Sequence, residues 1–184
     1  MTSSQSESVR PLILIGYMAS GKTTLGRALA DATGRRFIDL DEYIVAREGR
    51  AISEIFRDDG EEYFRRMERA SLAELLVSPA SDIIIACGGG TPCFSDNMDR
   101  MNAGAQTVWL TPSLEVILRR LRDDRASRPL VASLGDSELQ NYVVDNMSRR
   151  ENFYAKAQSC FDSSFLETED EIRQSVEKFI KTLL

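Results

Sequence analysis

Nine residues near the start of the chain, Gly16-Tyr17-Met18-Ala19-Ser20-Gly21-Lys22-Thr23-Thr24, have the types and the spacing to hold a polyphosphate. They fit G-x-x-x-x-G-K-[ST], a loop whose successive backbone N–H groups turn inward onto an anion while the positive end of the next helix adds favourable potential. Lys22 is then placed to reach β- and γ-phosphates, and the Thr23 hydroxyl to ligate Mg²⁺. Two acids follow, Asp39 and Asp41. Alone, such a pair is as readily a helix N-cap as a ligand set; beside a phosphate loop it fits Mg²⁺ and a substrate hydroxyl. Gly88-Gly89-Gly90 adds a corner where a ligand can approach the backbone closely and meet exposed N–H groups. Five arginines fall between positions 119 and 128, a local reversal of sign in an otherwise acidic chain.

The elements that must carry these residues are legible from periodicity and punctuation. The apolar run at 12–15 reads as a strand, and residues 22–33 read as a helix with Gly34 in the position of a left-handed cap. Residues 37–41 read as a second strand, and alternation puts Asp39 and Asp41 on one side of it. Helices are expected over 51–57 and 61–77; the second carries Arg65, Arg66 and Arg69, and such arginines usually pair with neighbouring acids in solvent. Residues 82–87 form a strand apolar on both faces, as the centre of a helix-covered parallel sheet requires. A short helix at 95–102 leads to a strand at 106–110. Thr111 and Pro112 then suit an N-cap and first turn for a helix reaching about 122. A long helix over 136–157, a strand at 159–162 and a final helix opened by the capping box Thr168-x-x-Glu171 complete the chain. Strand and helix alternate throughout. That order predicts an α/β fold, a parallel sheet with right-handed crossovers and helices on both faces, with ligands beyond the C-terminal strand ends.

Composition narrows the chemistry. The 184 residues, 42% hydrophobic, suffice for one core, so we expect a single domain over 11–184 behind a Ser-rich, frayed tail at 1–10. There is no histidine, which excludes Ser-His-Asp hydrolysis, Cys-His chemistry, His-ligated zinc and imidazole acid–base catalysis. A net charge of −6 argues against nucleic acid as the main partner. Three cysteines without a C-x-x-C pair suggest reduced thiols and a cytoplasmic setting, and no run is long enough for a signal peptide or a membrane span.

Taken in order, Gly16 to Thr24, residues 37–41, Ile55-Phe56 with Gly60-Glu61, Phe64-Arg65-x-x-Glu68, Gly88-Gly89-Gly90 and Arg128-Pro129-Leu130 make a chain that resembles the shikimate kinases over most of its length. The resemblance implies a nucleoside-monophosphate-kinase-like P-loop fold with a five-stranded parallel sheet in the order 2-3-1-4-5 and a lid at about 123–134. It implies transfer of the γ-phosphoryl group of ATP to the 3-hydroxyl of shikimate, in the pathway to chorismate and aromatic amino acids. We expect a monomer. Carried over by position, the loop residues Ala19, Ser20, Gly21, Lys22, Thr23 and Thr24 hold ATP together with Arg128 of the lid. Asp41 is the base and hydroxyl ligand, and Lys22 and Arg128 stabilise the transferring group. Arg65 and Arg150 grip the carboxylate beside Gly88, Gly89 and Gly90. Thr23 binds Mg²⁺ directly and Asp39 through water. Glu68, one turn from Arg65, is placed to orient its guanidinium.

Ala19 departs from the glycine common in this family, and Glu151-Asn152 follow Arg150 where the family often has Ala-Pro, which leaves Arg149 and Arg150 as alternatives for the carboxylate. A gluconate kinase or nucleoside monophosphate kinase on the same fold competes on composition, since gluconate is also an anionic polyol. A GTPase is disfavoured by the lack of an N-K-x-D sequence. A catalytically silent binding module would be expected to have lost an acid or an arginine, yet Lys22, Asp39, Asp41, Arg65 and Arg128 are all present.

Overall fold

The structure, a computed structural model, describes residues 10–77, 82–125 and 130–184. Apart from Arg10, the expected N-terminal tail lies outside the described residues, as do Arg128 and the centre of the expected lid.

Four-residue strands of Leu and Ile give a sheet core that must be covered on both faces. In β1 (Leu12–Ile15) and β3 (Ile83–Ala86) every residue is buried. β1 is central: Leu12 pairs with Ile84 of β3 on one side and with Gln106 of β4 (Gln106–Leu110) on the other. With β2 (Arg36–Asp39) and β5 (Ser159–Phe161) at the edges, the sheet is parallel in the order β2-β3-β1-β4-β5, as the family resemblance implied.

Alternation along the strands divides the core in two. Leu12, Leu14 and Ile84 pack with Leu25 and Leu29 of α1 (Lys22–Thr33) and with Val176 and Phe179 of α8 (Glu169–Leu183). Ile13, Ile15, Ile83 and Ile85 face the other way. They pack among residues of α2 (Leu40–Glu48), α3 (Ile52–Asp58), α4 (Gly60–Val77), α5 (Asn97–Gly104), α6 (Leu114–Asp123) and α7 (Asp136–Tyr154). Gly26 lets α1 sit close to the sheet: a Cβ there would come within 2.5 Å of the Phe37 ring.

Four local expectations change. The strand read over 37–41 ends at Asp39, and α2 begins at Leu40. The Asp39 carboxylate caps that helix by accepting from the Asp41 N–H at 3.1 Å, and Gly49 closes it at φ 69°. A strand-like alternation therefore ran on through a cap. The cap of α6 is Ser113, which accepts from the Val116 N–H, rather than Thr111; Thr111 instead bonds through its N–H and its hydroxyl to the carbonyl of Phe161. The short helix expected at 95–102 is shifted to Asn97–Gly104 and preceded by a 3-10 turn, Thr91–Cys93. The long helix ends at Tyr154 rather than 157. The Thr168–Glu171 capping box forms as expected.

No helix among the described residues is long and apolar enough to cross a membrane. Cys87, Cys93 and Cys160 are all free thiols.

Candidate active site

The loop between β1 and α1 turns its helix end toward open space. Gly21, at φ 90°, precedes α1, whose first turn has neither a side-chain cap nor an acid, so its N–H groups and the positive helix end are left for an anion. Ala19 adopts φ 60°, the left-handed region that favours glycine, which accounts for the glycine usual at that position in similar loops. Lys22 Nζ lies over the loop and donates to the carbonyls of Gly16 at 3.0 Å and Tyr17 at 2.7 Å.

Asp39 ends β2 at the neighbouring strand tip. One of its oxygens caps α2, and the other accepts from the Thr23 hydroxyl at 3.0 Å. The cap and the ligand readings of this acid are thus compatible. Asp41, in the first turn of α2, has one carboxylate oxygen, Oδ1, that is buried and accepts no hydrogen bond among the described residues. Burial pushes the Asp41 carboxyl above its usual range and the nearby Asp39 charge adds to the rise, against the opposing pull of Lys22 and Arg65.

On α4, Arg65 turns inward while Arg66 pairs with Glu62 in solvent. Arg65 Nη1 donates to Glu68 Oε2 at 3.0 Å and Arg65 Nη2 to Glu61 at 3.1 Å. Glu68 is fully buried, and the Thr91 hydroxyl donates to its other oxygen. Burial raises the Glu68 carboxyl, opposed by the Thr91 bond and the Arg65 charge. The role expected for Glu68 as an anchor of the Arg65 fork is therefore geometrically satisfied.

The triple glycine is where these parts meet. A Cβ on Gly88 would lie 3.3 Å from Asp41 Oδ1, one on Gly89 would lie 3.3 Å from Arg150 Nη1, and one on Gly90 would lie 2.7 Å from Arg65 Nη2. Two hollows open on either side of this corner. A cavity of about 470 Å³ is bounded by the phosphate loop, Asp39, Asp41, Gly88 and Gly89. A second, of about 500 Å³, is lined by Arg65, Gly90, Cys93, Phe94 and Arg150, with Glu61 and Glu62 at its mouth. Arg150 is half-buried and sits 5.6 Å over the Tyr17 ring, whereas Arg149 is exposed, so the structure brings Arg150 rather than Arg149 to Arg65.

Of the expected loop residues, Ala19, Gly21, Lys22, Thr23 and Thr24 line the first cavity, the one beside Asp39 and Asp41. Ser20 is buried instead: its hydroxyl accepts from Lys22 at 3.3 Å and its carbonyl from Ser163 at 2.8 Å. Residues that sequence reasoning did not single out also line or brace the site. Arg120 of α6 spans from Glu167, at 2.8 Å, to the Ala19 carbonyl, at 3.2 Å. Leu166 lies so close over Gly21 that a Cβ there would meet it at 2.5 Å. The Tyr154 phenol donates to the Gly89 carbonyl at 2.6 Å. The arginine-rich run pointed to the region of Arg120; nothing local marked Tyr154.

An uncapped helix end behind a phosphate loop, facing a buried acid and two inward arginines across a glycine corner, defines a P-loop phosphotransferase with a small anionic alcohol as acceptor. The comparisons narrow that class. The shikimate kinase family model matches residues 18–184. The chain is 40% identical over 175 residues to the shikimate kinase of Parabacteroides distasonis, covering 95% of this chain and all of that one, and 41% identical to that of Phocaeicola vulgatus, covering 94% and 97%. Among solved structures, the shikimate kinase of Bacteroides thetaiotaomicron superposes with a TM-score of 0.90 at 38% identity over 95% of this chain and 98% of that one. The Acinetobacter baumannii shikimate kinase, solved in complex with shikimate, gives 0.79 at 29% identity over 95% and 93%. The chain belongs to the shikimate kinase family, and it is an ATP-dependent kinase with an alcohol acceptor. The gluconate-kinase, nucleoside-monophosphate-kinase and silent-module readings give way to this match.

Proposed function

We propose that this kinase moves the γ-phosphoryl group of ATP to the 3-hydroxyl of shikimate with Asp41 as the group that binds and deprotonates that hydroxyl. The observation that carries this assignment is the buried, unpartnered Asp41 Oδ1 at the glycine corner between the two hollows. An acceptor hydroxyl there satisfies the carboxylate. As the new O–P bond forms and the bond to ADP breaks, the hydroxyl proton passes to Asp41, whose raised pKa suits a base.

Arg65 and Arg150 bind the shikimate carboxylate in the neighbouring hollow, since two guanidinium forks recognise a planar carboxylate in a way that hydroxyl ligands do not. Gly88, Gly89 and Gly90 let the ring lie against the backbone. Ala19, Gly21, Lys22, Thr23 and Thr24 cradle the phosphates, and Ser20 holds the loop in shape from below. Lys22 swings from the loop carbonyls to the β- and γ-phosphates. Arg128 is assigned to the phosphates by its place in the Arg128-Pro129-Leu130 sequence alone.

Thr23 and Asp39 suit Mg²⁺: they offer one hydroxyl and one carboxylate beside the phosphate loop, and Mg²⁺ usually takes one or two protein oxygens, with phosphates and water filling its octahedron. Among the described residues no cluster of three acids, cysteines or histidines offers a closed cage instead. Held by Thr23 and Asp39, Mg²⁺ would supply positive charge to the phosphates. The enzyme works as a cytoplasmic monomer on small molecules, with no nucleic-acid or membrane partner.

ADP release measured side by side with shikimate, gluconate and AMP tests the assignment. Shikimate is expected to give the highest kcat/KM; faster turnover with either rival would overturn it.

A further inference from the structure

A third cavity, of about 230 Å³, lies between α6 and α7, beside Tyr17 of the phosphate loop. Its walls are mainly aromatic and aliphatic: Tyr17 from the loop, Trp109 from the end of β4, Ile117 from α6, and Met147 and Tyr154 from α7. Of these side chains, none lines either substrate hollow. The Trp109 and Tyr154 rings are tilted by 39° at 5.8 Å, an open wedge against which a third ring can rest by edge or face. Dry apolar cavities of about 150 Å³ accept benzene, so this volume suits a bicyclic ring or a ring with a short chain.

One charged group stands at its edge. Glu151 is exposed and lines the cavity, and its carboxylate makes no hydrogen bond or ion pair among the described residues, although it follows Arg150 on the same helix. Arg150 is turned to the acceptor hollow and lies over the Tyr17 ring. A lone carboxylate above aromatic walls favours a cation with a flat apolar body and repels the corresponding anion.

We propose that this cavity is a second ligand site for a small planar aromatic amine in its cationic form, and that its occupancy is felt at the acceptor site. Two of its walls are also supports of that site. The Tyr17 ring lies under the Arg150 guanidinium at 5.6 Å, and the Tyr154 phenol holds the Gly89 carbonyl at 2.6 Å. A ring that moves either tyrosine changes the fork or the glycine corner that meets the acceptor carboxylate. This second part rests on the reading of Arg150 and Gly89 as acceptor contacts; the binding itself does not.

The test is calorimetry on the full chain saturated with ADP, which keeps the nucleotide cradle closed to the probe. Tryptamine is expected to bind with Kd of about 1 mM or tighter, and indole-3-acetate, the same ring with the opposite charge, roughly tenfold more weakly or not at all. Met147→Trp, which fills the cavity from a half-buried position, should abolish the tryptamine heat, and Glu151→Gln should weaken it about threefold. In steady-state assays, saturating tryptamine should change the shikimate KM at least about twofold while leaving the ATP KM in place. No heat at millimolar tryptamine, or equal binding of both indoles unaffected by both variants, overturns the site. Binding with an unchanged shikimate KM overturns the coupling alone. Because the heat is read without turnover, a failure of the shikimate assignment would leave the binding result intact and is thereby told apart.

Discussion

The phenol of Tyr154 donates to the carbonyl oxygen of Gly89 at 2.6 Å, tying the end of α7 to the glycine corner 65 residues away in the chain. That bond fixes the peptide between Gly89 and Gly90 and with it the turn against which Arg65 and Arg150 pack. Tyr154 is buried, and burial raises its phenol far above the usual range, so the hydroxyl remains a donor at any working pH. Tyr154→Phe keeps the ring against Trp109 and removes the hydroxyl, both the donor to Gly89 and the oxygen that meets Arg150. A net hydrogen bond contributes about 0.5–1.5 kcal/mol, so the shikimate KM should rise roughly 2- to 13-fold with the ATP KM unchanged. A fall in Tm with an unaltered KM would make the bond structural only.

Gly90→Ala tests the same corner by space alone. Gly90 has φ −89°, which alanine adopts freely, but the new methyl would meet three guanidinium atoms of Arg65 at 2.7–2.9 Å. Arg65 is held by Glu68 and Glu61, so its fork must move off those partners. We expect roughly tenfold or more in the shikimate KM, from a charge-assisted contact of about 1.5–3 kcal/mol, with little change in Tm. An unchanged KM would mean that Arg65 does not meet the acceptor.

These two positions show what the chain declares locally and what it does not. The loop from Gly16 to Thr24, the β1 and β3 runs and the Thr168–Glu171 box are all short-range patterns, and each formed where periodicity or capping chemistry put it. The misreading at Leu40 has a specific cause. Asp39 belongs at once to the last pair of a strand and to the cap of a helix, and alternation by twos continues through such a joint for two more residues. Tyr154 and Arg120 were illegible because their partners, Gly89 and Ala19, are 65 and 101 residues distant; only the packed sheet brings them together. Arg149 and Arg150 carry identical side chains, and helical phase against Tyr17 separates them, not composition.

Asp41→Asn should separate activity from stability. Its carboxyl is raised by burial above its value in the unfolded chain, so it favours folding while protonated and loses that contribution as pH rises through the folded pKa. At neutral pH the ionised acid therefore costs stability. We expect the amide to lower kcat by about 10²–10⁴, the range for losing a general base, while raising Tm at pH 7. The Tm gain should shrink as pH falls into the carboxylate range, and the acid limb of wild-type kcat/KM should lie above that of an ordinary aspartate. Unchanged turnover would remove Asp41 from its role, and a lowered Tm would contradict the burial argument.

Paired substitutions of the adjacent arginines should give unequal results. Arg150→Ala should raise the shikimate KM roughly 10- to 100-fold, whereas Arg149→Ala, at an exposed position that does not line the acceptor hollow, should stay within about twofold. Equal effects would mean that the helix, rather than one guanidinium, is being disturbed.

The central claim is that a nucleotide cradle and an acceptor pocket share the glycine corner, with Asp41 between them. A crystal structure of this enzyme with ADP and shikimate bound tests it most directly. The 3-hydroxyl is expected within hydrogen-bond distance of Asp41 Oδ1, the carboxylate held by Arg65 and Arg150, and the ADP phosphates in the loop from Gly16 to Thr24. Shikimate bound with its carboxylate away from both arginines, or its 3-hydroxyl turned from Asp41, would contradict it.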